Sequence, residues 1–225
     1  MNGTIVPYAP LREADVVWER RVWRVLDLSA DGNVLFRDPQ GPNCMGLFDV
    51  VRYALLEENS ITAYDAGPAG DDDAFRVPFA PMALVELLAG SLEDGDPVVS
   101  RFMIKEDWIF DKQRSEMVVR IIGLAPMREV RGEEGELRGH QVMCWLYYPE
   151  CRLTFARWAA DREVNGERLS YEDLFSQRRF TSTVVKVSGE PDRAINAYRT
   201  GLDALLRSEE TKEQLLHMGF DLWEY

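Results

Sequence analysis

The stretch from Ser100 to Leu124, SRFMIKEDWIFDKQRSEMVVRIIGL, constrains this chain more than any other, because few strand pairings satisfy it. In its first half Phe102, Ile104, Trp108 and Phe110 are apolar while Arg101, Lys105 and Asp107 are charged, the period of two of a half-buried strand. The second half, Glu116 to Leu124, places Val118, Ile122 and Leu124 on its even face. Each apolar face has one interruption, Glu106 in the first strand and Arg120 in the second. A polar loop at Asp111 to Ser115, with those two residues paired, sets Trp108 opposite Val118, Ile104 opposite Ile122 and Glu106 opposite Arg120. The interruptions then become a structural ion pair, and a slip of one residue would turn one apolar set to the wrong face.

Around this hairpin the patterning predicts an α+β fold: a single domain whose mainly antiparallel sheet is flanked by helices, with a helical C-terminus. Residues 1–16, holding Pro7 and Pro10 without a clean period, read as an extended N-terminal arm, and residues 17–225 as one globular domain. The arm's Ile5, Val6, Tyr8 and Leu11 are candidate partner contacts. Trp18, Val22, Val25 and Leu26 recur at helical spacing, so Val16 to Leu28 reads as a helix. Leu47 to Glu57 is a helix, Ser60 to Tyr64 a short strand, Asp65 to Asp73 an acidic loop, and Pro81 to Leu88 a short helix. Asp94-Gly95 is a turn. Met127 to His140 reads as a glycine-containing mobile connection. Val142 to Tyr148, apolar on both faces, is a covered strand that pairs with the one ending near Leu124. Arg152 to Ala160 is helical, Ser170 with Asp173 opens a helix to Gln177 through a capping box, and Thr181 to Val187 is a strand. A helix from Pro191 through Arg207 and another from Glu209 to near Gly219 complete the chain.

Composition removes whole classes of function. A formal charge of -13 disfavours nucleic acid and anionic lipid surfaces, both of which need clustered Lys and Arg. No apolar run approaches the length of a membrane span. Neither a nucleophile elbow, Gly-x-Ser-x-Gly, nor a glycine-rich phosphate loop is present. The aspartates of 65–73 lack the ligand alternation and closing Glu of a calcium loop. Cys44, Cys144 and Cys151 have no metal spacing, and His140 and His217 stand far apart, so neither metal nor cofactor is expected. The thiols are buried small core residues, or Cys144 and Cys151 bridge across the turn at Pro149. Glu106 and Asp107 point to opposite faces of a strand and cannot act as one carboxylate pair. What remains is a surface account: Trp18, Trp23, Trp158 and Trp223 stand outside the hairpin sheet, and aromatic residues are what protein interfaces use.

Several runs carry a family resemblance. Ile104 to Ser115 and Val119 to Pro126 in the hairpin are joined by Arg21-Val-Trp-Arg24 with Asp27-Leu28, Leu47-Phe-Asp-Val50 and Ile61-Thr-Ala-Tyr-Asp65. Pro149-Glu-Cys-Arg152, Tyr171-Glu-Asp-Leu-Phe175, Gly201 to Leu206 and Asp221-Leu-Trp223 follow in order. Together, from Pro7 to Tyr225, they resemble the GldN family, also called PorN, of the type IX secretion and gliding-motility apparatus. Gly219-Phe220 departs from the acidic residue and histidine expected there. The resemblance implies a non-enzymatic subunit of a large periplasmic ring, a homo-oligomer within it. Its implied partners are a ring lipoprotein, which holds it peripherally to the outer membrane, and a periplasmic motor shaft protein. It further implies export, with this chain as the mature part lacking its signal peptide. The alternative is a periplasmic small-ligand-binding protein or unusual hydrolase with a pocket on the sheet near Glu106 and Arg120.

Overall fold

The computed structural model describes residues 5–39, 44–89, 98–162, 168–189 and Glu213. In chain order the elements are β1 (Val16–Asp27), α1 (Val34–Arg37), α2 (Leu47–Leu56), β2 (Ala63–Tyr64), α3 (Pro81–Ala89), β3 (Val99–Asp111) and β4 (Glu116–Arg131). They continue as β5 (Leu137–Val142), β6 (Trp145–Tyr147), α4 (Tyr148–Arg157), β7 (Ala159–Arg162), β8 (Arg168–Ser170), α5 (Tyr171–Ser176) and β9 (Thr183–Val187). Strand order in the main sheet is β2-β6-β4-β3-β1-β9 with β5 also on β4, while β7 and β8 form a separate ribbon. The fold is α+β with a mainly antiparallel sheet flanked by helices. The turn at Asp94-Gly95, the helix of 191–207, that of 209–219 apart from Glu213, and Trp223 lie outside the described residues.

Two compact units are present. Among the described residues, one comprises those of Leu26–Met103 and Gly123–Thr181 with Ile5; the other comprises Val6–Val25, Ile104–Ile122 and residues 182–189. In the first unit, the side of α2 carrying Leu47, Val51, Ala54 and Leu55 is buried as the periodicity requires. Beside it lies an aromatic core in which Phe175 meets Phe36 at 5.2 Å, Tyr148 at 5.5 Å and Phe155 at 5.9 Å between ring centroids. Ser170 caps α5 as expected: its hydroxyl accepts from the Asp173 N–H, and the Asp173 carboxylate accepts from the Ser170 N–H. β6 pairs with β4 through Gly123 with Tyr147 and Leu124 with Leu146, which is where the covered strand was expected.

Four expectations are corrected. Val16 to Leu28 is the strand β1, not a helix. Buried Val22 and Leu26 are four apart, a spacing a strand shares with a helix, and Val22, Trp23 and Arg24 are buried in succession, which hides the period of two; the register shift between Trp23 and Arg24 leaves the extra residue, Val185, on β9. Trp18 and Trp23 consequently stand in the sheet. Met127 to His140 is not a loose connection either: β4 runs on to Arg131 and turns back through Gly135, at φ 81°, into β5. Its exposed polar and glycine residues hide the strand because this ribbon buries no apolar face.

The hairpin register also differs. The loop occupies Lys112 to Ser115, with Ser115 in the left-handed region at φ 51°, so the strands close on Asp111 and Glu116. Buried Asp111 fixes the loop by accepting from the Gln113 N–H at 2.9 Å and pairing with Arg114 at 2.5 Å. In this register Trp108 packs with Val22, Val184 and Val187 and with Met117 and Val119, not with Val118. Alternation along β4 then sends Arg120 to the face opposite Met117 and Val119.

Candidate interaction surfaces

In the second unit the N-terminal arm lies along the hairpin. The Arg120 guanidinium sits 5.5 Å over the Tyr8 ring and donates to the Ala9 carbonyl, and Arg114 donates to the Pro10 carbonyl at 3.3 Å. The Asp15 carbonyl accepts from the Lys112 N–H at 2.8 Å, which anchors the arm's end beside the loop. Glu106, by contrast, is buried and accepts from the Trp108 indole N–H at 2.8 Å. The two residues expected to pair therefore hold different partners, because the register shift places them on different faces. Val6 is 77% exposed, Pro7 and Pro10 are exposed, and Ile5 and Leu11 are half-buried.

The tryptophans divide. Trp23 is buried beneath Lys186, whose ammonium lies 4.5 Å from the ring centroid, whereas Trp18 is half-buried under Arg20. Trp158, half-buried in the first unit, meets Tyr53 edge-on at 5.5 Å. Arg21 grips Asp107 in two-pronged fashion, with Nε to Oδ1 at 2.7 Å and Nη2 to Oδ2 at 3.0 Å.

The first unit carries an aromatic ridge that sequence reasoning missed. Phe75 stands edge-on to Tyr64 at 5.7 Å, to Trp145 at 6.2 Å and to Tyr147 at 5.5 Å. Tyr147 remains 37% exposed. Gly123 makes room for this arrangement, since a Cβ there would lie 2.8 Å from the Phe75 ring. Phe75 itself adopts φ 54°, a conformation a bulky side chain rarely takes. It is carried by the loop that follows the acidic stretch, in which Asp65, Asp71 and Asp72 are exposed.

Two polar clusters, one buried and one half-buried, complete the first unit. Arg152 on α4 pairs with Glu172 on α5 at 2.6 Å, and Tyr148 donates to the second Glu172 oxygen at 2.8 Å. On the strands, His140 Nε2 lies 3.0 Å from the Ser100 hydroxyl, which also bonds to Glu129. Burial and the nearby Arg101 charge hold His140 below its ordinary pKa, against the pull of Glu129 and Asp27. With the hydroxyl proton directed to Glu129, the imidazole donates to Ser100 instead of activating it, so the pair is a structural relay. Cys144 and Cys151 are buried and are not joined by a disulfide. Burial pushes the Cys144 thiol up to about 12 and raises Cys151 as well, the chemistry of inert core thiols.

A family model described as gliding motility associated protein GldN matches residues 11–224. The chain belongs to the GldN family. No individually curated protein matches it. GldN membership makes the chain a component of the gliding-motility and type IX secretion machinery, a family of structural parts and not one known for catalysis. It also points to an envelope-associated place in the periplasm, and no described helix is long and apolar enough to cross a membrane. Runs that carried the GldN resemblance meet in space here: Pro149–Arg152 supplies Arg152 to the Glu172 of Tyr171–Phe175, and Val119–Pro126 supplies Gly123 to the aromatic ridge.

Proposed function

We propose that this GldN-family chain is a non-enzymatic structural subunit of a periplasmic ring of the type IX secretion system. In this reading copies of the chain form the ring with an outer-membrane lipoprotein, and the ring couples a periplasmic motor shaft protein to protein secretion and gliding. The observation that supports it most is the match to the GldN family model across residues 11–224. The side chains support it: Asp107, Glu172 and Asp111 are all engaged by arginines in ion pairs, an arrangement that suits scaffold positions. The exposed arm and the aromatic ridge offer contact surface of the composition interfaces use. The test is co-expression with the lipoprotein of the same secretion system, followed by affinity purification and sizing of the eluate. A ring-sized assembly containing both chains is expected; a chain that elutes alone at monomer size would overturn the reading.

A further inference from the structure

We propose that the aromatic ridge of the first unit is the seat for the N-terminal arm of a second copy of this chain. The inference rests on the reading of the protein as a subunit of a homo-oligomeric ring. The arm reads Val6-Pro7-Tyr8-Ala9-Pro10-Leu11-Arg12, two prolines three apart followed by an arginine. Proline fixes φ near the value of the three-residue-per-turn polyproline helix, so residues three apart lie on one edge of it. The hairpin of its own chain engages the Tyr8 ring and the Ala9 and Pro10 carbonyls, and leaves Pro7, Pro10 and Arg12 exposed.

The ridge complements that outward edge. Grooves lined by aromatic rings are what proline-rich extended segments dock into, because flat pyrrolidine rings fill the slots between them and little conformational entropy is lost. Phe75, set edge-on to both Tyr64 and Tyr147, forms such slots with them, and Tyr147 is exposed. The same loop that delivers Phe75 also presents Asp71 and Asp72 to solvent, the charge that an arginine two residues beyond the second proline requires. Its aspartates at 65, 71, 72 and 73 outnumber its one cation, Arg76. Arm and ridge each occur once per chain, so the contact is heterologous, and repetition of it from copy to copy closes a ring when the rotation permits.

A labelled peptide of residues 4–12, titrated into the full-length protein, tests this by fluorescence anisotropy. Saturable binding is expected, weakened about tenfold or more by Tyr147→Ala, since an aromatic anchor dominates such contacts. Asp71→Lys with Asp72→Lys, confined to an exposed loop, should weaken it too, and a peptide carrying Arg12→Glu should regain affinity for that reversed protein. Arg120→Ala, which alters only the seat on the chain's own hairpin, should leave peptide binding intact. No saturation by roughly 1 mM, which corresponds to negligible affinity, overturns the proposal. So does binding indifferent to Tyr147→Ala and to the loop reversal, or binding lost only in Arg120→Ala. Because no lipoprotein enters this titration, its failure beside a ring-sized co-purified complex would refute the arm contact and leave the ring reading standing.

Discussion

Arg152 and Glu172 are both nearly shut off from solvent, with side-chain exposures of 9% and 6%. Each is tolerable there only because the other is present, and Tyr148 occupies the remaining carboxylate oxygen. Arg152→Ala therefore strands a buried carboxylate and is expected to cost about 3–5 kcal/mol in urea unfolding. The double change Arg152→Ala with Glu172→Gln should recover part of that loss, and a double variant as unstable as the sum of the singles would count against the pair. His140 gives a different signature. Its folded pKa lies below the ordinary value, so between the two values the unfolded chain binds more protons and stability falls as the pH drops through the imidazole range. On going from about pH 7 to about pH 5, across the range where imidazole titrates, the melting temperature should fall less in His140→Gln than in the parent protein. Equal falls would show that His140 is not titrating under this constraint. Neither cluster was legible beforehand, because Arg152 and Glu172 belong to separate helices and His140 lies on a strand whose residues resemble loop.

Elements were legible where their signals are local. The capping box at Ser170 and Asp173 is a four-residue pattern that needs no knowledge of the rest of the fold, and the structure contains both of its bonds. Ser170→Ala should cost about 1 kcal/mol, read as a lowered urea midpoint with unchanged slope, while Ser170→Thr should keep most of the stability. No change in midpoint for the alanine variant would mean that the tertiary contacts of α5 hold it without its cap. β1 was illegible for the opposite reason. Its alternation is masked by three successive buried residues, Val22, Trp23 and Arg24, and only the partner strands reveal what buries them. The hairpin is intermediate: its two strands follow from alternation, yet the four-residue loop that fixes their register depends on Asp111 turning its carboxylate onto the loop.

At the scale of the whole molecule, the family and the α+β class were readable because many short runs recur in order along the chain, each weak alone. The aromatic ridge was not readable. Tyr64, Phe75, Gly123 and Tyr147 are spread over 84 positions, and nothing in the spacing of such residues announces that their rings will meet. The lone hint was Gly123 in an otherwise apolar strand, where a glycine often marks the close approach of another group.

The division into compact units falls inside strands: β1 changes unit after Val25, β3 after Met103 and β4 after Ile122. Each unit is thus threaded from several separate stretches of polypeptide. No single break in the coding sequence could release one unit intact, and no simple shuffling event could donate one to an unrelated gene. A lineage carrying such a chain inherits it whole and has to diversify by changing what it displays, residue by residue, on a scaffold that does not come apart into exchangeable pieces.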